Sequence, residues 1–231
     1  MAALADILRR RIALAGPITV AEFMTEALTH PALGYYRSGK PLGSGGDFVT
    51  APEISQMFGE LLGAWLVERW QALGSPTRVR LVELGPGRGT LLADALRATR
   101  AVPDFHAALD LHLVEIHRGL RAVQRVALTG FSPTWHERFE EVPQGAPLLL
   151  VANEFLDALP IRQLVRQPWG WAERMIGLSR GGTELGFAAA PGKSPLASLL
   201  PDALRTIDRF GSIAEISPAV TSLTTDIARR I

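Results

Sequence analysis

Cysteine is absent from the 231 residues of this chain. Disulfides and thiolate catalysis are thereby excluded, and zinc could be held only by histidines and carboxylates. No apolar run reaches the roughly 18 residues that a membrane-spanning helix requires. A charge excess is missing too, since 24 Lys and Arg stand against 23 Asp and Glu, a net charge of +1. That balance offers no surface for nucleic acid or acidic lipid. The N-terminus lacks a secretory pattern: Arg9, Arg10 and Arg11 have short apolar flanks, and Asp6 interrupts them. The Ala, Leu and Arg content of residues 1–14 leaves a weak amphipathic transit peptide as the alternative to a first helix of the fold. No P-loop, internal repeat or low-complexity tract occurs. With 47% hydrophobic residues, the chain can bury one large core, with or without an appendage.

The most informative stretch is Val79 to Thr90, reading V-R-L-V-E-L-G-P-G-R-G-T. Val79, Leu81, Val82 and Leu84 suit a buried parallel strand. Gly85, Gly87 and Gly89 let the backbone turn tightly and bring a ligand close to main-chain N–H groups. Leu91, Leu92, Ala95 and Leu96 then recur at helical spacing, predicting a helix to about Arg100. Such a unit forms a nucleotide-type site at the carboxyl end of a sheet. The dinucleotide fingerprint needs glycine at position 90, where Thr90 stands. Glu83, two positions before the first glycine, repels a pyrophosphate and favours a cationic ligand. S-adenosyl-L-methionine, with an amine, a sulfonium and no phosphate, is such a ligand. Leu111 to Glu115 reads as the second strand, with Glu115 placed to accept hydrogen bonds from ribose hydroxyls. The alternative is a structural strand–turn–helix without a ligand.

The rest of the chain falls around this unit. Residues 2–14 read as the first helix of the folded domain. Thr19 with Glu22 forms a capping box for a second helix. Residues 34–53 are glycine-rich and suit a lid or binding loop; the alternative is a flexible surface loop, against which Tyr35, Tyr36 and Phe48 argue. Ser55 to about Leu73 predicts a long helix whose stripe of Met57, Phe58, Leu61, Leu62, Trp65, Leu66 and Trp70 packs in a core. Arg118, Arg121 and Arg125 read as the solvated face of a helix over 117–128. A third strand is expected from Gly130 to Trp135. There Trp135 either stacks on adenine or packs in the core. Pro147 to Ala152 is a continuous apolar strand. It releases Asn153, Glu154 and Asp157 at its carboxyl end, where the chemistry of an open α/β sheet lies; capping by Asn153 or Asp157 is the plainer alternative. Residues 161–189 alternate like antiparallel strands, with a hairpin turn at Arg180 to Thr183. A short helix over 202–209, a strand from Ser212 to Ile216 and a last helix from Pro218 follow. Four segments result: a helical and loop region over 1–75, a Rossmann-like core over 76–160, an antiparallel insertion over 161–200, and further core from 201.

Three blocks carry a resemblance: Gly34-Tyr35-Tyr36, the run from Gly46 to Glu60, and the run from Ala152 to Pro160, alongside the Glu83 to Gly87 turn. Together they resemble the MidA family of S-adenosylmethionine-dependent methyltransferases. Its mitochondrial members are similar to protein-arginine methyltransferases that assist respiratory complex I assembly. The resemblance implies a class I methyltransferase α/β fold with N-terminal helices and an antiparallel β insertion. It implies that Glu83, Gly85, Gly87 and Glu115 bind the cofactor; Pro86 and Gly89 of the same turn, and Trp135 if it stacks on adenine, complete the expected cofactor site. The Gly46–Pro52 loop, with Asp47 and Thr50, covers it, and Asn153, Glu154 and Asp157 face the substrate. The expected partner is a protein presenting an arginine, with no nucleic acid, no membrane span and no metal. The location is cytoplasmic for a bacterial-type protein and the mitochondrial matrix for a eukaryotic one. The family pattern continues past Ile231, so an open sheet edge beside the Pro147–Ala152 strand and self-association to a homo-oligomer are expected. Against catalysis stands a non-catalytic assembly module that retains a cofactor pocket; against the cofactor stands NAD, which Thr90 and Glu83 disfavour.

Overall fold

A computed structural model of the chain describes residues 3–37 and 50–231. The elements in chain order are α1 Leu4–Ala15, β1 Ile18–Thr19, α2 Val20–Thr29, α3 Ala51–Ile54, α4 Gln56–Ala72, β2 Val79–Leu84, α5 Thr90–Ala98, α6 Pro103–Ala108, β3 Leu109–Val114, α7 Arg118–Ala127, β4 Thr134–His136, β5 Leu148–Val151, β6 Arg162–Gln167, β7 Gly170–Leu178, β8 Leu185–Ala189, α8 Asp202–Arg205, β9 Ile213–Ile216 and α9 Pro218–Ala228. They fall into two compact units. One comprises Met1–Ser38 with Ala158–Ser222, the other Gly39–Asp157 with Leu223–Ile231.

The second unit is built on a parallel sheet of order β4-β3-β2-β5. Every residue of β2 is buried. Its register sets Glu83 opposite Leu113 of β3 and Val151 of β5. The chain winds from β2 to β3 to β4 in one direction and then places β5 on the other side of β2. The strand order therefore reverses beside β2, which creates a crevice at the carboxyl ends of β2 and β5. Among the described residues, β5 pairs with β2 alone.

One face of this sheet is covered by α4 and α5. Their approach is set by Gly59 and Gly63: a Cβ on Gly63 would stand 2.5 Å from the Ala95 carbonyl oxygen, and one on Gly59 2.6 Å from Asp94 Cβ. The buried face of α4 is thus Gly59, Gly63, Leu66, Val67 and Trp70. This corrects the aromatic stripe expected from the sequence. Leu66 and Trp70 are buried and Leu62 packs on the same core, but Met57, Phe58, Leu61 and Trp65 are exposed, because the backbone contact with α5 is made through the glycines instead. On the other face Val82, Leu84, Val114, Phe139 and Val142 form a core that Leu223 and Ile227 of α9 also join. Near the amino end of β2, buried Arg80 donates to Asp110 Oδ2 at 3.1 Å and to the Pro143 carbonyl at 2.6 Å, so its charge is paired, as a buried charge must be.

The first unit holds the antiparallel strands. β7 pairs with β6, β8 and β1, and β6 pairs with β9. Residues 1–38 belong here rather than with α3 and α4. Ile18 and Thr19 pair with Ile176 and Met175 of β7, and Leu8, Ile12, Ile18, Val20 and Ile176 share one core. This differs from a helical region running to residue 75. The predicted capping box is present, with Thr19 Oγ1 accepting from the Glu22 amide at 3.0 Å and Glu22 Oε2 accepting from the Thr19 amide at 2.8 Å.

Candidate cofactor and substrate site

The glycine turn leaves β2 as the sequence predicts. Gly85, Gly87 and Gly89 hold φ of 63°, 55° and 83°, a left-handed region costly to other residues. The Gly85 amide donates to the Val114 carbonyl at 3.0 Å and the Gly89 amide to the Pro86 carbonyl at 2.7 Å. The turn is thereby fixed to the end of β3. The Phe155 ring lies against Gly85, where a Cβ would meet Cδ2 at 2.6 Å. Pro86 is buried beneath the turn. Thr90, the first residue of α5, donates its hydroxyl to Glu53 Oε1 at 2.7 Å, and Arg88 lies 3.9 Å from the same carboxylate. Glu53 sits on α3, so that short helix is tied to the far end of the turn.

Glu83 is 2% exposed, and its Oε2 has no hydrogen-bond partner. Burial raises its pKa from 4.5 to about 8. A carboxyl of this kind is held neutral until a cation arrives, and it then ionises. Glu115 follows β3 at the same end of the sheet. Its Oε1 accepts from the His117 amide at 2.7 Å and its Oε2 from Gln124 Nε2 at 3.2 Å. Burial raises its pKa, against the lowering effect of those two hydrogen bonds. A cationic group with a neighbouring diol fits this donor set, because each carboxylate oxygen of Glu115 keeps a lone pair in hand and Glu83 Oε2 is unpartnered.

Trp135 lies on β4, half-buried. Its Nε1 donates to Gln124 Oε1 at 2.8 Å, and the Arg125 guanidinium stands 4.8 Å from its ring centroid. The indole N–H and one face are therefore engaged within the protein. Arg121, expected on a solvated face with Arg118 and Arg125, donates through Nε to the Glu115 carbonyl at 2.8 Å. That expectation is corrected for Arg121, which is half-buried and turned towards the end of β3; Arg118 and Arg125 are exposed as expected, with the Arg125 guanidinium lying over the Trp135 ring.

Asn153, Glu154 and Asp157 follow β5 at the crevice. Asn153 is half-buried; Glu154 and Asp157 are exposed. Glu154 has φ of 51°, a conformation that a non-glycine residue adopts at a cost and that clusters at functional sites. Thr50 begins α3 and accepts the Glu53 amide through its carbonyl at 2.8 Å. Asp47 lies outside the described residues. The structure thus brings Glu83, Gly85, Pro86, Gly87, Gly89, Glu115 and Trp135 to one end of one sheet, with the Asn153–Asp157 segment beside them.

A family model described as "Putative S-adenosyl-L-methionine-dependent methyltransferase" matches residues 61–231. The chain belongs to this family. Among its relatives, the protein named Protein arginine methyltransferase NDUFAF7, mitochondrial, from Homo sapiens is 35% identical over 246 residues, covering 96% of this chain and 54% of that protein. The protein of the same name from Danio rerio is 42% identical over 192 residues, covering 73% of this chain and 45% of the relative. The chain spans about half the length of these curated relatives. A crystal structure of a Burkholderia thailandensis protein bound to S-adenosyl-homocysteine superposes with a TM-score of 0.81 at 32% identity, covering 98% of this chain and 59% of that one. A native crystal structure from the same organism gives a TM-score of 0.77, also at 32% identity, over 98% of this chain and 57% of the other. The family's class I methyltransferase fold, a parallel sheet accompanied by an antiparallel one, is that of this chain.

Sequence reasoning missed three residues that shape the site. Glu53 ties α3 to Thr90, Phe155 backs Gly85, and Gln124 joins the turn to Glu115. Glu53 and Phe155 stand inside the motifs that carry the family resemblance, so position alone could have flagged them. Gln124 stands in no such motif.

Proposed function

We propose that this chain binds S-adenosyl-L-methionine and transfers its methyl group to an arginine side chain of a protein. The observation that carries the reading is Glu83: a buried carboxyl with an unpartnered oxygen, at the end of the strand that feeds the glycine turn. When bound, S-adenosyl-L-methionine supplies an electrophilic methyl group on a sulfonium. Glu83 takes the cationic amino end of this ligand. Gly85, Pro86, Gly87 and Gly89 allow main chain to approach it without side-chain obstruction, and Glu115 accepts from its ribose hydroxyls. Thr50, which caps α3, borders the site, and Asp47 is assigned to the cofactor by the family resemblance alone. Asn153, Glu154 and Asp157 face the substrate, where a carboxylate holds the guanidinium by charge-assisted hydrogen bonds and accepts the proton released by the methylated nitrogen. Positioning of the two reactants supplies much of the rate.

The relatives' names support the arginine target, and the same names support a mitochondrial location for a eukaryotic protein; a bacterial one works in the cytoplasm. No described helix is long and apolar enough to cross a membrane. Among the described residues β5 pairs with β2 alone, and an unpaired edge pairs readily with another strand; self-association of the chain through it is part of the proposal, and light scattering that shows a monodisperse monomer removes that part.

Calorimetric titration with S-adenosylhomocysteine and with NAD tests the cofactor. Binding of the first alone is expected; binding of NAD alone overturns the reading. Incubation with labelled S-adenosylmethionine and cell extract, followed by acid hydrolysis, tests the reaction. Label in methylarginine is expected, and cofactor binding without any transfer points to an assembly module instead.

A further inference from the structure

We propose that Gln124 is the positioning residue that aims Glu115 at the ribose; this rests on the cofactor reading above. Gln124 lies on α7 and is completely buried, at 0% exposure. It touches no solvent-facing surface, so it does not reach the ligand itself. Its side-chain amide joins three segments that are far apart in sequence. Nε2 donates to the Gly87 carbonyl at 2.8 Å and to Glu115 Oε2 at 3.2 Å, while Oε1 accepts from Trp135 Nε1 at 2.8 Å. The partners decide which way the amide faces. An indole N–H only donates and a carbonyl oxygen only accepts, so the oxygen points to Trp135 and the nitrogen to the glycine turn. Both amide hydrogens are then committed, one to the turn and one to the carboxylate.

The consequence concerns the remaining lone pairs of Glu115. A carboxylate offers about four acceptor sites. The His117 amide occupies one on Oε1 and Gln124 one on Oε2. Each oxygen therefore keeps a free acceptor site, and the two together match a vicinal diol. The same amide clamps the Gly87 carbonyl, so the turn and the carboxylate are held at a constant separation. Trp135 is the third leg of this bracket: it fixes the amide oxygen and so prevents the flip that would present a second acceptor to Glu115. A hydrophobic side chain of similar length packs the same space and does none of this.

The test compares S-adenosylhomocysteine with its 2′-deoxyribose analogue by calorimetry, on the full 231-residue chain and its variants. In the unaltered chain the hydroxyl is expected to contribute about tenfold in affinity, the effect of one hydrogen bond to a charged group. In Gln124→Leu that ratio should fall towards one while S-adenosylhomocysteine weakens by about the same factor. Trp135→Phe removes the indole N–H that forms the third leg and should lower the ratio part-way, whereas any change in ring contact with the cofactor affects both ligands alike; it carries the test if Gln124→Leu does not fold. An unchanged ratio in the folded variants, with or without a uniform loss of affinity, overturns the positioning role, because loose packing weakens both ligands equally. An unaltered chain that binds neither ligand overturns the cofactor reading instead, and the role of Gln124 with it.

Discussion

Replacing Glu83 by glutamine separates a buried neutral carboxyl from an ordinary surface one. The group is fully enclosed, and burial lifts its pKa from 4.5 to about 8. The folded protein therefore holds this proton more tightly than the unfolded chain does. Stability from that preference is fully present below about pH 4.5 and is lost as pH rises towards the folded value. Each pKa unit corresponds to about 1.4 kcal/mol, so a shift of about 3.5 units approaches 5 kcal/mol across the window. Glu83→Gln cannot ionise and carries none of this dependence. Urea unfolding at several pH values should show the variant gaining on the wild type as pH rises, by about 3 to 5 kcal/mol between about pH 5 and pH 8. Ligand binding should report the same proton. A cationic amino group ionises Glu83, so S-adenosylhomocysteine binding near neutral pH should release close to one proton, visible when the calorimetric enthalpy changes with buffer. Glu83→Gln should release none and bind about ten- to a hundredfold more weakly, the cost of losing a hydrogen bond to a charged group. A stability difference that is flat with pH, together with no proton release from the wild type, would refute the reasoning.

Three further substitutions probe the frame around that carboxyl. Gly63→Ala places a methyl 2.5 Å from the Ala95 carbonyl oxygen and should destabilise by about 1 to 3 kcal/mol through forced separation of α4 and α5, measured by denaturant midpoint. Gly87→Val sets a β-branched residue at φ 55°; it should abolish S-adenosylhomocysteine binding at a stability cost of about 2 kcal/mol or less, and retained binding would make the turn purely structural. Glu154→Gly relieves the left-handed strain at φ 51° and should leave stability unchanged or raised by up to about 1 kcal/mol while methyl transfer falls. An equally active variant would remove Glu154 from the substrate side.

Elements whose burial is written locally were legible. β5 read as a parallel strand because its apolar run is unbroken, β2 because Val79, Leu81, Val82 and Leu84 lead straight into a glycine turn, and α2 because Thr19 and Glu22 cap it within one turn. β1 was not legible. Ile18 and Thr19 are strand only because β7 offers them partners far along the chain. α6 was passed over although Pro103 stands at its first position, a start signal that six residues of mixed composition gave little periodicity to support. α4 was legible only in part, with Leu66 and Trp70 in the core and Phe58, Leu61 and Trp65 outside it, for a physical reason. Hydrophobicity points to Phe58, Leu61 and Trp65, yet packing distance is set by the smallest residues, and Gly59 and Gly63 let another backbone come closer than any apolar side chain allows.

The site divides along the same line. Glu83 and Glu115 were readable because each ends an apolar strand, and a carboxylate there has no structural use that a hydrophobic residue would not serve better. Gln124 was not readable, since a glutamine among Arg118, Arg121 and Arg125 has the composition of a solvated helix face. Its helix turns two polar groups inward because the strand ends it covers are themselves polar: Arg121 reaches the Glu115 carbonyl and Gln124 fills the space between the Glu115 carboxylate and Trp135, while Arg125 stays exposed over the Trp135 ring. Inverting the usual amphipathic rule on one helix is costly unless every buried donor and acceptor is satisfied. Here one amide serves a carbonyl, a carboxylate and an indole at once. The polar interior of α7 is therefore a consequence of placing Glu115 at the end of β3: once that carboxylate is buried, the helix that covers it must supply donors.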